Sequence, residues 1–197
     1  PGRVVLHDSI DKRLQILKKD GIESLKDLLS ALKSKEKSLE LAQRTGIPDS
    51  YLVILRREAA SYISKPLKLS EFPGIPIEYA LSLESKGIKN SKSLFEAIQT
   101  EDEKIELSKS TGIPTDRLDE LFCLCDLSRI NGVGGVFARI LYETGIHSVE
   151  QFIEINFDQT YTEFKRLSKL RNYSGIGFSE SDIEYCMRYA KLLLNHK

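Results

Sequence analysis

Apolar side chains recur every three or four residues along most of the chain, which is the spacing of an amphipathic α-helix. The stretches 25–32 and 118–125 show this spacing most clearly. No stretch alternates apolar and polar residues for long enough to predict a strand. The pattern therefore predicts an all-α protein with roughly twelve short helices. Their expected ranges are 8–20, 24–33, 36–45, 49–63, 76–86, 90–99, 101–110, 114–129, 134–144, 148–155, 160–171 and 179–195.

A glycine followed directly by isoleucine ends a predicted helix at six places in the chain. Glycine adopts the left-handed conformation that commonly closes a helix, and an apolar residue after it folds back onto the last turn. Half of the 12 glycines occur in this pattern, so we interpret them as helix stops. The six are Gly21, Gly46, Gly87, Gly112, Gly145 and Gly175.

These glycine stops recur at similar intervals, which indicates a repeat architecture. The first two stops, Gly21 and Gly46, are each followed by an equivalent stop, Gly87 and Gly112, at the same distance along the sequence. The last two stops follow these at slightly shorter distances. We therefore predict three helical units of about 58–66 residues, over 1–66, 67–126 and 127–197. Two prolines make 64–73 the best linker. No comparable break separates the second unit from the third, so 72–197 is expected to form one compact body.

One turn carries residues that are suited to a phosphate group. The sequence Gly132-Val133-Gly134-Gly135 lies between two predicted helices, and the small Ala138 follows where those helices would cross. Glycines permit a tight turn and close approach of a phosphate. Free N–H groups at the start of the second helix, together with the helix dipole, would attract that phosphate. Such contacts grip a nucleic-acid backbone without reading its sequence.

The matching turns of the other two units depart from this pattern. In the second unit Pro76 replaces the second glycine and removes an N–H donor, while Glu78 adds a negative charge. In the first unit the corresponding segment, 8–14, has no glycine and contains two aspartates. We expect these two turns to serve packing, and only the third to be able to hold a phosphate.

The order of a G-h-G turn, a Gly-Ile stop and a Thr-Gly-Ile-Pro stop resembles a family of uncharacterised proteins with tandem helix-hairpin-helix units. The resemblance is best over 72–155 and weaker over nearly the whole chain. It implies an all-helical fold and a distant likeness to DNA-binding modules, but no established activity. It places phosphate binding at Gly132, Val133, Gly134 and Gly135, with Arg129 and Arg139 as candidate charge partners.

The charge distribution weakens the case for nucleic acid. The chain carries 29 basic and 29 acidic residues, whereas a protein that neutralises many phosphates usually has a basic excess. The net charge is +5 over 1–70, −6 over 71–126 and +1 over 127–197. Such asymmetry could steer a nucleic acid to one end, or could help segments pack on each other or on another molecule.

Other kinds of site lack a sequence signal. The three cysteines and three histidines have no metal-ligand spacing, and the acidic run at 101–103 sits at a helix start, where carboxylates favour the dipole. We predict no catalytic residue, no metal site and no cofactor. No apolar run reaches the ~18 residues of a membrane span, and 1–6 is too short for a signal-peptide core, so we expect a soluble, cytoplasmic protein.

These observations favour a non-enzymatic helical repeat module that acts as a protein-interaction scaffold or adaptor, with another protein as its partner. The alternative is sequence-nonspecific binding of duplex nucleic acid through the turn and helix at 130–139. A membrane surface and a small-molecule substrate are not expected as partners. An enzyme would need convergent acid, base or metal groups, which the sequence does not display.

Overall fold

The computed structural model describes residues 4–171 and 179–195. Within those ranges the chain forms twelve α-helices and two 3₁₀ helices and has no strand, which confirms the predicted all-α class. The 3₁₀ helices are Val4–His7 and Leu69–Glu71. The α-helices are α1 (Ile10–Lys19), α2 (Leu25–Ala31), α3 (Lys35–Thr45), α4 (Asp49–Ser61), α5 (Ile77–Ser85), α6 (Ser91–Ala97), α7 (Glu101–Thr111), α8 (Thr115–Leu127), α9 (Gly135–Glu143), α10 (Val149–Ile153), α11 (Phe157–Leu170) and α12 (Glu180–Asn195).

Five of the six predicted glycine stops lie in the described residues, and all five have a positive φ; Gly175 lies outside them. Gly46 and Gly112 have φ of 71° and 74° and donate to the carbonyls of Ala42 and Ser108, four residues back. At the other three stops, the isoleucine N–H instead bonds to a leucine carbonyl five residues back. Both arrangements satisfy carbonyl groups that a helix end leaves unpaired.

Helix starts are fixed by local side-chain bonds. The Ser24 hydroxyl accepts from the Asp27 N–H at 3.1 Å, and the Asp27 carboxylate accepts from the Ser24 N–H at 3.0 Å. Thr100 and Glu103 form the same reciprocal pair before α7. These capping boxes supply partners to N–H groups that the first helical turn cannot bond internally. Local sequence therefore sets both ends of several helices.

The chain separates into two compact units, residues 1–63 and 64–197. The first unit contains α1 to α4, and α4 packs against both α2 and α3. Tyr51 lies in its core and donates from its hydroxyl to the carbonyl of Leu6 at 3.1 Å. The buried core of this unit consists of Leu6, Leu17, Leu28, Leu32, Leu41, Ile47, Tyr51, Leu52, Leu55 and Ala59.

The second unit, which contains α5 to α12, has a larger core of its own. Helix α8 packs against α6, α7 and α9, while α10 packs against α12 and α11 against α9. Phe137, Phe152 and Phe164 meet edge to face in this core. None of the described helices combines the length and the apolar character that crossing a bilayer requires.

Candidate functional site

The turn between α8 and α9 places its first glycine under two constraints. Gly132 has φ of 94°, in the left-handed region that glycine tolerates best. A Cβ added at Gly132 would lie 2.9 Å from the Sγ of Cys186 on α12. Gly132 is exposed, whereas the neighbouring Val133 is buried in the core of the second unit. The predicted phosphate-binding residues therefore do not share one surface.

The two remaining glycines differ in what surrounds them. Gly134 is the exposed N-cap of α9, has extended backbone, and would have open space around a Cβ. No side chain caps this helix start. Gly135 is different, because a Cβ there would overlap with the carbonyl oxygen of Glu71. Gly134 thus leaves the helix end open, and Gly135 permits close packing of α9 on the 3₁₀ helix Leu69–Glu71.

Arg129, one of the two predicted charge partners, is already engaged. Its guanidinium donates to the Asp126 carboxylate at 2.5 Å and lies 4.4 Å from the centre of the Phe95 ring. Asp126 also accepts the Val149 N–H at 2.9 Å, so it joins α8 to the start of α10. Burial raises the pKa of Asp126 above its usual value, against the opposing effects of the Val149 and Arg129 contacts.

Arg139, the other predicted charge partner, is only 5% exposed and faces the protein interior. It forms an ion pair with buried Glu120 at 2.5 Å, and its Nε donates to the carbonyl of Pro73 at 2.6 Å. Its Nη2 has no hydrogen-bond partner among the described residues. A phosphate at the exposed turn would have to draw this side chain out of its ion pair, so Arg139 is better explained as a structural residue.

Three charged side chains, Arg117, Glu120 and Arg139, form a cluster that binds the turn before α5. The sequence did not reveal this cluster. Arg117 donates to the carbonyl of Gly74 at 3.1 Å and pairs with Glu120, the carboxylate that also binds Arg139. The sequence signal for the cluster was Glu120, a charged residue that lies beside the apolar positions of α8. A charged residue is rarely fully buried unless it is paired, so a buried Glu120 requires a partner. One partner lies a single turn away on α8 and the other lies on α9, and only the folded chain shows the second pairing.

The cysteine side chains are poor nucleophiles in this fold. Burial raises the pKa of Cys123 and of Cys186 to about 11, and it also raises the pKa of the Cys125 thiol. A thiol with a raised pKa is rarely ionised near neutral pH, and the thiolate is the reactive form. Within the described residues, no group of three or more His, Cys, Asp or Glu side chains is placed to hold a metal ion.

The first unit contains a feature that sequence reasoning missed. A cleft of about 360 Å³ is lined by residues of α2 and α4 and by Lys33. Its apolar lining comes from Leu29, Val53 and Ala60. Basic residues complete the lining, and no carboxylate contributes. We call this cleft the α2/α4 groove. Its three basic residues are Lys33, Arg56 and Arg57.

All three basic residues of the α2/α4 groove are exposed, and within the described residues none forms an ion pair. Elsewhere in the first unit, Arg13 pairs with Asp8 and Arg44 pairs with Asp20. The +5 charge of residues 1–70 was the available sequence signal. It could not show that three of these charges gather beside apolar side chains.

The sequence profile of a family described as a domain of unknown function, DUF4332, matches residues 73–191 of the chain. This match covers most of the second unit and none of the α2/α4 groove. No curated protein and no solved structure matches the chain.

Proposed function

Because the chain belongs to the DUF4332 family, a domain of unknown function, we propose a role from its own residues: a non-enzymatic helical scaffold that binds another protein. The α2/α4 groove is the observation that carries this proposal. Its apolar lining includes Val53, which is 45% exposed, and its basic residues form no ion pair within the described residues. Covering such a surface removes apolar area from water and supplies the missing counter-charges.

The proposal includes a tandem organisation of helix-hairpin-helix-like units. Gly46 and Gly112, which hold the same place in the first and second predicted units, share one conformation and one hydrogen-bond pattern. Gly21 and Gly87 share another, with φ of 84° and 85° and a leucine carbonyl bonded by the following isoleucine. Equivalent helix ends at equal spacing are what a repeat requires. Stacked repeats commonly present extended surfaces for protein partners.

The proposal assigns no catalysis to the charged residues around the α8–α9 turn. Glu120, Asp126, Arg129 and Arg139 are bound to each other or to backbone groups, so their charges stabilise helix packing. A catalytic site needs acid, base or nucleophilic groups that converge on a space where a substrate can sit. The α2/α4 groove offers cations and apolar side chains only.

A photo-crosslinking amino acid at Val53 tests the scaffold proposal in a lysate of the native cell. We expect the probe at Val53 to give a discrete protein adduct, and we expect Arg56→Glu with Arg57→Glu to remove it. A probe at exposed Lys19 of α1 serves as the control and should not give that adduct. The proposal is wrong if the probe at Val53 yields no adduct beyond those of the Lys19 control and if purification of the chain from that lysate without denaturant recovers no bound protein.

Nucleic-acid binding is the second candidate, and the open N-terminus of α9 is the observation that favours it. Gly134 is exposed and no side chain caps the helix, so a phosphate could approach the first turn. Without Arg129 or Arg139 as partners, the binding should be weak and should fall steeply with salt. A gel shift with duplex DNA at low salt tests it. Gly134→Pro, which removes one N–H donor, should abolish the shift and preserve helicity.

A further inference from the structure

A second exposed apolar surface lies on α5, and its chemistry is complementary to that of the α2/α4 groove. Ile77 is 52% exposed and Leu81 57% exposed, and residues four apart share one face of a helix. Glu84 continues the same face, and Glu78 lies beside it. We call these four residues the α5 stripe. Among the described residues neither glutamate forms an ion pair, and both are exposed.

We propose that the occupant of the α2/α4 groove is the α5 stripe of a second copy of this chain. Ile77 and Leu81 would contact the apolar lining at Leu29, Val53 and Ala60. The glutamates would meet the basic residues Lys33, Arg56 and Arg57. This inference rests on the scaffold proposal and specifies its partner.

Charge argues for this occupant over a nucleic acid or a membrane. The groove and the stripe each combine apolar side chains with charges of one sign, and the two signs are opposite. A phosphate backbone would satisfy the cations but would leave the apolar lining without an apolar partner. A bilayer surface best meets protruding apolar side chains, whereas these lie in a cleft. A helix with apolar and acidic residues satisfies both parts of the groove at once.

The two surfaces differ, so the contact joins unlike faces of two copies. Such a head-to-tail contact either closes into a ring or continues into an open chain. We expect one groove and one helical stripe to bury less than the ~1,200 Å² of a standard stable interface, so the association should be weak. Electrostatic attraction between exposed charges should make it weaker at high salt.

Sedimentation velocity of the full chain, from micromolar to near-millimolar concentration, tests the proposal. We expect the mass-averaged sedimentation coefficient to rise with concentration and the association to weaken at high salt. Arg56→Glu with Arg57→Glu should weaken it by about tenfold or more, and so should Glu78→Arg with Glu84→Arg. The control is Lys18→Glu with Lys19→Glu, which makes the same size of charge change on exposed residues of α1 and should associate normally. Far-UV circular dichroism checks that each variant is folded.

Mixing the two groups of variants makes the test specific. Each double variant gives its groove and stripe the same sign of charge, so each alone should associate at least about tenfold more weakly than the wild type. In a mixture, the acidic groove of one meets the basic stripe of the other, and association should return. The proposal is overturned by a wild-type monomer at every concentration, by wild-type association that both variants retain, or by a mixture that associates no better than either variant alone.

These outcomes are separable from failure of the scaffold proposal. If the chain is monomeric but the Val53 probe captures a different protein through Arg56 and Arg57, self-association is wrong and the scaffold stands. If the groove variants lose binding to anionic vesicles or duplex DNA while the wild type stays monomeric, the proposed occupant is likewise wrong. An adduct between two copies at Val53 would support both proposals.

Discussion

Glu120 and Arg139 form a buried ion pair that joins α8 to α9, and each is at most 6% exposed. Removing one member of such a pair leaves the other charge buried without its partner, which costs about 3–5 kcal/mol. We therefore expect Glu120→Ala to lower the free energy of unfolding by about 3 kcal/mol. Urea denaturation followed by circular dichroism measures this. Glu106→Ala, at an exposed position on α7, is the control and should change it by less than about 0.5 kcal/mol. Equal effects of the two variants would contradict the structural role of Glu120.

Asp126 gives a prediction about pH at the same scale. Burial raises its pKa in the folded chain, so its contribution to stability is greatest below the unfolded-state pKa and is lost as pH rises through the folded one. Asp126→Asn keeps an acceptor for the Val149 N–H but does not ionise. The free energy of unfolding of the wild type should therefore fall relative to that of the variant as the pH rises above the ordinary aspartate pKa of about 4. Carboxylates with lowered pKa, such as Asp20 and Asp27, change stability in the opposite direction but cancel in this comparison.

At the scale of helical elements, three glycines should respond differently to alanine. Gly112 has φ of 74° and open space, so Gly112→Ala should cost about 1–2 kcal/mol of backbone strain. Gly134 has extended backbone and open space, so a poorer cap and a less flexible unfolded chain should roughly offset each other, within about 0.5 kcal/mol. Gly135→Ala should cost about 3 kcal/mol, because its Cβ would press on a backbone oxygen. Thermal or urea unfolding gives the order. If Gly135→Ala is as mild as Gly134→Ala, the close packing is wrong.

The helices and their ends could be predicted because the signals that set them are local. The Gly-Ile stop at Gly112 and the cap at Ser24 depend on residues within one helical turn. All twelve predicted helices are present, with ends shifted by a few residues. What surrounds Gly135 could not be predicted in this way, because the oxygen it meets belongs to Glu71, and helices α5 to α8 separate the two residues along the chain. Arg139 was likewise predicted as a charge partner for phosphate, but its observed partners are Glu120 and the carbonyl of Pro73, which only the folded chain brings near.

For the candidate surfaces, the sequence supplied the charge balance and the structure supplied its placement. The basic excess of the first third was visible, yet only the packing of α2 against α4 gathers Lys33, Arg56 and Arg57 beside exposed Val53. The acidic balance of the second segment was visible too, and α5 concentrates part of it beside Ile77 and Leu81. A helical protein can thus have zero net charge and still carry one surface of basic and apolar residues and another of acidic and apolar residues.

At the scale of the whole molecule, the family match begins at residue 73, but the core of the second unit begins earlier. Leu69 and Phe72 are 2% and 1% exposed in that core, and the carbonyl of Leu67 accepts the Ser91 N–H at 2.8 Å. A fragment of residues 73–197 lacks all three residues, whereas a fragment of residues 64–197 keeps them. Both fragments contain α5 to α12.

We expect the 64–197 fragment to fold and to unfold in urea at the midpoint that this unit shows in the full chain, since the unit has a core of its own. The 73–197 fragment should be less stable by at least about 4 kcal/mol, because losing a buried leucine and a buried phenylalanine costs about 2–5 and 3–5 kcal/mol. Leu69→Ala in the longer fragment separates the side-chain loss from the loss of chain and should lie between the two. If 73–197 unfolds at the same midpoint as 64–197, the segment before residue 73 is not part of the folding unit, and the family boundary coincides with the physical one.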